Sequence, residues 1–459
     1  MATRREQKNI WLVNPWIYDF AAYDLWIKPL GLLYVGGALR RNGYRIHLLD
    51  CLDRNHPDMR KLEKSSHREP DGRGKFHRQI IEKPEALSWV PRHFARYGYT
   101  DEVFNQQMEQ MEPPDAILVT SIMTYWYKGV EAVVRRLKQR FPEIPVLLGG
   151  VYATLCPGHA STLPGIDHVV QGYGEETAVR WLDEYFDIQQ PFVPGDPQGD
   201  PGVPWDLYPE LSALVVLTAR GCPYRCTFCA THQLNNRFFQ RRPQSVVDEI
   251  TLNTARYGVK DVVFYDDALF VKKRKHIEAI LDLIIESDLE VRFHTPNGLF
   301  ARMIDRRLAE KMAAANFRTL RLSFETSNEG RRPDMNNKVT NTSFLRAMDI
   351  LEQAGYPRDQ IEVYVLMGLP GQTQQEVRAS LEFVHKAGAR IRLASFTPIP
   401  GTVDFQRAVD RYDLDPDTDP LLLNNTIYPL RTAGMSYEVY SSLRQYGKDL
   451  NHHLREVPV

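Results

Sequence analysis

From Leu214 onward the sequence alternates between short apolar segments and amphipathic segments, with a period of about 30 residues, the size of one strand-plus-helix unit. The apolar segments predict six strands, at 214–218, 261–265, 291–294, 319–324, 362–367 and 392–396. Helical patterns lie between them, for example at 246–256, 274–287 and 342–354. Alternation of this kind predicts a parallel sheet covered by helices, so this half of the chain is expected to have an α/β fold.

Three of the five cysteines lie just after the first of these strands, at Cys222, Cys226 and Cys229, in a CxxxCxxC spacing. Iron–sulfur clusters take cysteine thiolates as ligands and normally use four, so three thiolates leave one iron with an open position. A structural zinc site is the alternative, with His232 as the fourth ligand. Zinc sites more often combine two separated ligand pairs, and the sequence has no second pair, which favours the cluster. A redox disulfide fits the spacing less well.

The run from Leu217 to Cys229, with Phe228 directly before the last cysteine, resembles the signature of radical S-adenosylmethionine (SAM) enzymes. The resemblance implies a partial (β/α)6 barrel and a 4Fe-4S cluster, whose open iron binds the amino and carboxylate groups of SAM. In this family the reduced cluster splits SAM, and the 5′-deoxyadenosyl radical abstracts hydrogen from an unactivated carbon. Such a reaction implies an electron donor, for example a flavodoxin or a ferredoxin.

In barrels the chemistry lies at the carboxyl ends of the strands. By resemblance, the residues expected to contact SAM there are Phe228, Tyr265, Asp266, Asp267, Ser323, Glu325, Met367, Gly368 and Ile399. Carboxylates suit the ammonium group of SAM. His294 and Asn297, at the end of the third strand, are candidates for substrate contact. Each of these residues taken alone is equally well explained as a turn or capping residue, and no catalytic acid, base or hydrogen donor is assigned.

The N-terminal part of the chain alternates in the same way. Strands are predicted at 9–14, 45–50, 116–120 and 146–148, with helices at 30–41 and 129–140. Sheets of this kind bind ligands at the carboxyl ends of their strands. Small and hydroxyl-bearing residues occupy those ends, where a backbone can approach a ligand closely: Ser121, Thr124, Gly149, Gly150, Gly172 and Gly174.

Ahead of a radical SAM core, this arrangement resembles the cobalamin-binding domain found in one large group of radical SAM enzymes. The resemblance implies that the same six residues contact cobalamin. The DxHxxG element, which ligates cobalt in classical cobalamin domains, is absent, since the first strand ends in Asn14-Pro15-Trp16. In the radical SAM group that histidine is commonly missing too, so its absence does not exclude cobalamin.

The expected fold class is α/β: an N-terminal Rossmann-like sheet domain of the cobalamin-binding type, a partial (β/α)6 TIM-like radical SAM barrel and a small helical C-terminal extension. The expected boundaries are 1–188 for the first domain, 189–210 for a linker rich in Pro and Gly, 211–400 for the radical SAM core and 401–459 for the extension. A polar insertion at about 52–114 interrupts the first domain and is expected to cap the active site. The extension is expected to close the open side of the barrel.

A net charge of −1 gives no reason to expect nucleic acid or an anionic membrane as a partner, so the substrate is expected to be a small molecule or peptide. No segment approaches the roughly 18 apolar residues of a membrane helix. Clustered cysteines favour a reducing compartment, and hence the cytoplasm. The leading hypothesis is cobalamin-dependent methylation of an unactivated carbon. The alternatives are a cobalamin-independent radical cyclisation, coupling or rearrangement and, more remotely, a non-enzymatic iron–sulfur or zinc binding protein.

Overall fold

A computed structural model describes residues 4–62, 69–235, 237–287 and 289–456. The chain divides into two compact units. The first comprises Met1–Ala213 together with Asp419–Leu422, and the second comprises Leu214–Thr418 together with Leu423–Val459. None of the helices in the described ranges is long and apolar enough to cross a membrane.

The first unit is built on a five-stranded parallel sheet in the order β3-β1-β6-β7-β8. The strands of this unit are β1 (Asn9–Asn14), β2 (Ile17–Asp19), β3 (Arg45–Asp50), β4 (Arg78–Ile80), β5 (Ala95–Tyr97), β6 (Ala116–Val119), β7 (Val146–Leu148) and β8 (His168–Val169). The helices are α1 (Leu30–Arg41), α2 (Pro57–Leu62), α3 (Asp101–Gln110), α4 (Tyr127–Arg140), α5 (Gly150–Leu155), α6 (Pro157–Ser161) and α7 (Gly174–Tyr185). Every residue of β1 is buried, as expected for an interior strand with helices on both faces.

Within its described residues, the insertion at 52–114 is a folded structure. Strands β4 and β5 pair antiparallel with each other, and β5 also pairs antiparallel with β2. A small apolar cluster that includes Leu52, Phe76 and Tyr97 supports this sheet. The sequence showed little periodicity here because each strand has only three residues, too few to establish an alternating pattern.

The second unit contains the barrel and the C-terminal helices. Its strands are β9 (Leu214–Val216), β10 (Ala219–Arg220), β11 (Phe239–Gln240), β12 (Asp261–Phe264), β13 (Arg292–His294), β14 (Leu299–Phe300), β15 (Phe317–Thr319), β16 (Arg321–Glu325), β17 (Glu362–Met367) and β18 (Arg390–Ser395). Its helices are α8 (Thr231–Leu234), α9 (Pro243–Tyr257), α10 (Ile277–Glu286), α11 (Arg306–Ala314), α12 (Asn341–Gln353), α13 (Gln374–Lys386), α14 (Val403–Tyr412) and α15 (Tyr437–Glu456).

The barrel strands form two parallel sheets, in the orders β15-β13-β12-β9 and β14-β16-β17-β18. Only Leu320 separates β15 from β16, so one nearly continuous strand passes from the first sheet to the second and joins them. The predicted succession of six strands and the helical extension are both confirmed. The prediction missed the two-residue strands β10, β11 and β14, which are too short to leave a pattern in the sequence.

Helix α15 covers the edge of β18, the last strand of the barrel. The Asn451 side chain accepts a hydrogen bond from the Ile391 N–H (2.7 Å) and donates one to the Ile391 carbonyl (2.9 Å). An uncovered edge strand exposes unpaired backbone groups to other chains. The C-terminal helix therefore protects this edge, in agreement with the expectation that the extension closes the barrel.

Candidate active site

The cysteine loop begins at the carboxyl end of the barrel and is bracketed by β10 and β11, which pair antiparallel. Gly221 opens the loop with a φ of +79°, a conformation that favours glycine. A Cβ atom at this position would lie 2.8 Å from the Arg237 carbonyl oxygen. Glycine is therefore required for the close approach of the two sides of the loop.

Cys222, Cys226 and Cys229 are free thiols, of which Cys226 is buried and the other two are partly buried. Burial raises the pKa of Cys222 and of Cys226 to about 11, so metal binding must displace their protons. Among the described residues, no three His, Cys, Asp or Glu side chains are placed to hold one metal ion. A cubane cluster makes a different demand, because each thiolate binds its own iron. Three free thiols in one loop fit that donor set.

A buried lysine lies beside the thiols. The Lys338 ammonium donates to Glu325 Oε1 (2.8 Å) and lies 5.7 and 5.3 Å from the ring centres of Phe228 and Phe300. Burial alone lowers the pKa of Lys338, but the charges of Glu325 and Cys226 outweigh it and the pKa is raised overall. The ammonium therefore stays charged and opposes the negative charge that the thiolates bring.

Sequence reasoning missed Lys338 and found Glu325. The only sequence signal near the lysine is the pair of asparagines before it, Asn336 and Asn337, which indicates a turn. In the structure both have a positive φ. Glu325 also has a positive φ of +70°, and the register of β16 shifts between Ser323 and Glu325. A shift of this kind re-aims a side chain, and here the Glu325 carboxylate meets the lysine.

Asp266, which was predicted to contact SAM, is engaged by the backbone that leads into the cysteine loop. Its Oδ1 accepts from the Ala219 N–H (2.6 Å) and the Thr218 hydroxyl (2.8 Å), and both oxygens accept from the Thr218 N–H (3.1 Å). The Thr218 hydroxyl also lies 2.8 Å from His276 Nε2. Burial raises the pKa of Asp266 to about 7 and lowers that of His276 to about 4. This network anchors the amino-terminal side of the loop.

The end of β12 also carries two groups that accept hydrogen bonds, the Asp267 carboxylate and the Tyr265 carbonyl. The Asp267 side chain reaches the surface, although the surrounding protein raises the pKa of its carboxyl to about 6, and the Tyr265 carbonyl is oriented by a hydrogen bond from the Asn297 amide (2.8 Å). His294, in contrast, is buried and its Nε2 lies 2.9 Å from Asp261 Oδ1 inside the barrel. Of the two predicted substrate contacts, Asn297 thus supports a strand end and His294 pairs within the sheet.

Of the remaining predicted SAM contacts, Met367, Gly368 and Ile399 lie at or after the ends of the last two barrel strands, whereas Phe228 lies in the cysteine loop and Ser323 is buried within β16. Phe228 packs in an apolar cluster with Leu369. Met367 is fully buried at the end of β17, and Gly368 follows it with a φ of +94°. Ile399 is half-buried. Apolar side chains of this kind suit the flat face of an adenine ring.

In the first unit, the ends of β6 and β7 approach each other at Ser121 and Gly150. Gly150 has a φ of +90°, and a Cβ atom there would lie 2.5 Å from Thr120 Oγ1 and 2.8 Å from the Ser121 carbonyl oxygen. The Thr154 hydroxyl, from a residue outside the six predicted to contact cobalamin, donates to the Gly150 carbonyl (2.8 Å) and accepts from the Gly172 N–H (3.0 Å). These contacts form a backbone cradle that has no room for a side chain at Gly150.

The other residues predicted to contact cobalamin lie around this cradle. Thr124 is buried at the start of a short 3-10 helix, and Gly174 is the first residue of α7. A Cβ atom at Gly149 would be in ordinary van der Waals contact with Val170, 3.8 Å from its carbonyl oxygen, whereas a Cβ atom at Gly172 would meet nothing within 4 Å, so the open space beside the cradle lies at Gly172. A backbone cradle with open space fits the polar tail of a cofactor, which backbone groups can bind at close range.

Two family models match the chain. Residues 216–384 match the radical SAM superfamily, and residues 101–182 match the B12 binding domain. Among curated proteins, cytidylyl-2-hydroxyethylphosphonate methyltransferase of Streptomyces wedmorensis is 23% identical over 484 residues, covering 90% of this chain and 84% of the relative. The anaerobic magnesium-protoporphyrin IX monomethyl ester cyclase of Rubrivivax gelatinosus is 23% identical over 377 residues, covering 72% and 67%.

Among solved structures, the radical SAM methyltransferase TsrM of Kitasatospora setae, with cobalamin and a 4Fe-4S cluster bound, matches with a TM-score of 0.63 and 18% identity, over 89% of this chain and 78% of that one. The same enzyme with tryptophan substrate and a SAM analogue matches with a TM-score of 0.61 and 18% identity, over 86% and 75%. This likeness confirms the α/β fold and the order of its parts. The two family matches show a B12 binding domain at 101–182 ahead of a radical SAM domain at 216–384, and the cysteine loop lies within the radical SAM domain.

Proposed function

We propose that this enzyme methylates an unactivated carbon of a small molecule or peptide, using a 4Fe-4S cluster, SAM and cobalamin. The observation that carries the proposal is the presence in one chain of three free thiols beside a buried ammonium and of a backbone cradle in a B12 binding domain. When bound, the reduced cluster supplies the electron that splits SAM to a hydrogen-abstracting radical, and cobalamin supplies the methyl group.

The residues of the second unit divide the work of holding the cluster and SAM. Cys222, Cys226 and Cys229 bind three irons, and Lys338 offsets their negative charge. Asp267, which is exposed at the end of β12, receives the SAM ammonium group. Asp266 supports the site without binding SAM in this proposal, because its oxygens hold the backbone that leads to the cysteines.

The rest of the SAM site positions the nucleoside. Phe228, Met367, Gly368 and Ile399 line the adenine ring, while Ser323 and Glu325 lie where the ribose and carboxylate are bound. Most of these groups are buried or half-buried, so the site excludes water from the reacting atoms. Exclusion of water protects a radical from side reactions.

Cobalamin is proposed to bind at the strand ends of the first unit, at Ser121, Thr124, Gly149, Gly150, Gly172 and Gly174. The contacts come mainly from backbone groups, because the cradle has no room for a side chain at Gly150. The first strand ends without a histidine, so no imidazole from that position ligates the cobalt.

The proposed partners follow from the chemistry. A flavodoxin or ferredoxin supplies the electron, and a net charge of −1 gives no basis for nucleic acid binding. Free thiols that must meet iron call for a reducing compartment, for which we propose the cytoplasm.

A second function is a cobalamin-independent radical cyclisation, coupling or rearrangement. The similarity over 72% of the chain to a protein named as an anaerobic cyclase favours cyclisation as the reaction of this alternative. It differs from the first in one readout, because the methyl group of SAM is never transferred.

The test starts with protein purified anaerobically from cells supplied with cobalamin, in which iron, sulfide and cobalt are measured per chain. SAM with a deuterated methyl group and a strong reductant are then added, and 5′-deoxyadenosine and deuterium on the extracted cobalamin are measured by mass spectrometry. About four irons, one cobalt and both products support methylation. Deoxyadenosine without cobalt or label supports the alternative, and absence of deoxyadenosine would falsify both.

A further inference from the structure

Thr227, one of the two loop residues between Cys226 and Cys229, is held by residues far along the chain. The Thr227 N–H donates to the Asp334 carbonyl (2.8 Å), and the Thr227 carbonyl accepts from the Asp404 N–H (3.0 Å). The Thr227 hydroxyl donates to Asp404 Oδ2 (2.8 Å). All three polar groups of Thr227 are thus fixed from outside the cysteine loop.

An arginine joins the two residues that hold Thr227. Arg407 lies 2.9 Å from Asp404 Oδ1 and 3.0 Å from Asp334 Oδ1. The Asp404 side chain is only 4% exposed, whereas the other two side chains are about one-third exposed. Each Asp404 oxygen therefore has its own partner, the threonine hydroxyl on one side and the guanidinium on the other. Such charge-assisted bonds are stronger than neutral ones.

Helix α14 itself is anchored at its amino end. The Thr402 hydroxyl accepts from the Phe405 N–H (3.2 Å) and donates to the Ile399 carbonyl (2.7 Å). The first turn of α14 is therefore fixed to the segment proposed to line the adenine. Asp404 lies in that turn, so its position is fixed by the anchored end of the helix and does not depend on its contact with Thr227.

From these contacts we infer that Asp404, together with Arg407, is a positioning residue for the cluster. By fixing Thr227, it fixes the relative placement of Cys226 and Cys229, the two ligands that flank it. Asp404 and Arg407 lie beyond 216–384, the part of the chain that matches the radical SAM superfamily. The C-terminal extension therefore completes the cluster site as well as closing the barrel. The inference rests on the proposed cluster.

The test compares full-length variants after anaerobic cluster reconstitution. Iron release to a chelator and the EPR spectrum of the reduced cluster are measured for Asp404→Ala, Thr227→Val and Thr227→Ser. We expect iron release to be about tenfold faster in the first two, as for the loss of partners that orient metal ligands, and close to wild-type in Thr227→Ser, which keeps the hydroxyl. Asp410→Ala is the matched control, because Asp410 is an exposed aspartate of the same helix.

Wild-type rates and spectra in both Asp404→Ala and Thr227→Val would overturn the inference. If Asp404→Ala does not fold, the comparison of Thr227→Val with Thr227→Ser decides, since these changes remove or keep one hydroxyl. A wild-type protein that takes up no four-iron cluster contradicts the proposed function instead. The two failures are therefore distinguishable in the first measurement.

Discussion

The two proposed cofactor sites of this enzyme are built by opposite means. In the cysteine loop the donors are side chains. The distant Asp266 side chain holds the backbone that leads to them, and the distant Asp404 side chain holds the Thr227 hydroxyl between two of them. In the strand-end cradle the backbone itself is the binding surface, and the essential residue, Gly150, is one that has no side chain. A site built from side chains can be recognised in the sequence from the types of its residues and their spacing. A site built from backbone is indicated only by residues without large side chains, such as glycine.

The largest effect should separate the two sites completely. Cys226→Ala removes one of three iron ligands, so iron should fall from about four per chain to near zero, while cobalt stays at the wild-type level. SAM cleavage should be lost with the iron. Cys51→Ala, which changes a buried cysteine of the first unit, is the control and should keep both metals. Retention of iron or SAM cleavage in Cys226→Ala would mean that the cluster assignment is wrong.

The reverse change acts on the cradle. Gly150→Ala places a Cβ atom 2.5 Å from Thr120 Oγ1 in a left-handed backbone conformation, so cobalamin affinity should fall about tenfold or more. Iron content should not change. Gly158→Ala is the control, because a Cβ atom there meets nothing within 4 Å. The measurement is cobalamin binding by equilibrium dialysis, and equal affinities of the two variants would remove Gly150 from the site.

A smaller effect tests the buried charge beside the thiols. Lys338→Met removes a cation near the cluster, so the reduced, more negative state should become harder to form, by about 60 mV in potential. Because Glu325 would be left unpaired, the double variant with Glu325→Gln is measured alongside. Lys338→Arg keeps the charge and should stay near the wild-type potential. EPR-monitored titration gives these values, and no difference between Lys338→Met and Lys338→Arg would contradict a role for the charge.

The last effect concerns stability rather than cofactor binding, and it arises in the network that anchors the amino-terminal side of the loop. Burial lowers the pKa of His276 from 6.5 to about 4, so between these values the unfolded chain takes up a proton and the folded chain does not. Stability is therefore present above pH 6.5 and is lost as the pH falls toward 4. Between pH 7 and pH 5 this amounts to about 2 kcal/mol.

His276→Gln should remove that part of the pH dependence. Urea unfolding of the cluster-free protein at both pH values measures it. His453→Gln, at an exposed position of α15, is the control and should retain the wild-type dependence. An unchanged pH dependence in His276→Gln would show that this histidine gains its proton equally in both states.

The sequence predicted the parts of this molecule that depend on local pattern. The six barrel strands follow from apolar periodicity, and the spacing of the three cysteines is the basis on which they are proposed as cluster ligands. Contacts between distant residues could not be predicted in this way. Nothing near Lys338 in the sequence indicates that its ammonium meets Glu325, and nothing near Thr227 points to Asp404.

For Asp266 the sequence predicted the residue as a candidate but did not predict its contacts within the protein. The sequence predicted that Asp266 lies at the end of β12 and that its carboxylate contacts SAM. Its hydrogen bonds to Thr218 and Ala219, however, depend on how two neighbouring strands align. The sequence therefore identified both aspartates as candidates, whereas the coordinates were needed to propose different roles for Asp266 and Asp267.

Thr227 and Asp404 lie 177 residues apart in the chain. At typical rates of protein synthesis, a ribosome needs about 10 to 35 seconds to cover that distance. During this interval the nascent chain already carries its three cysteines but lacks the helix that will support them. Stable binding of the cluster should therefore follow synthesis of α14, and a product truncated before α14 should be a poor acceptor of iron.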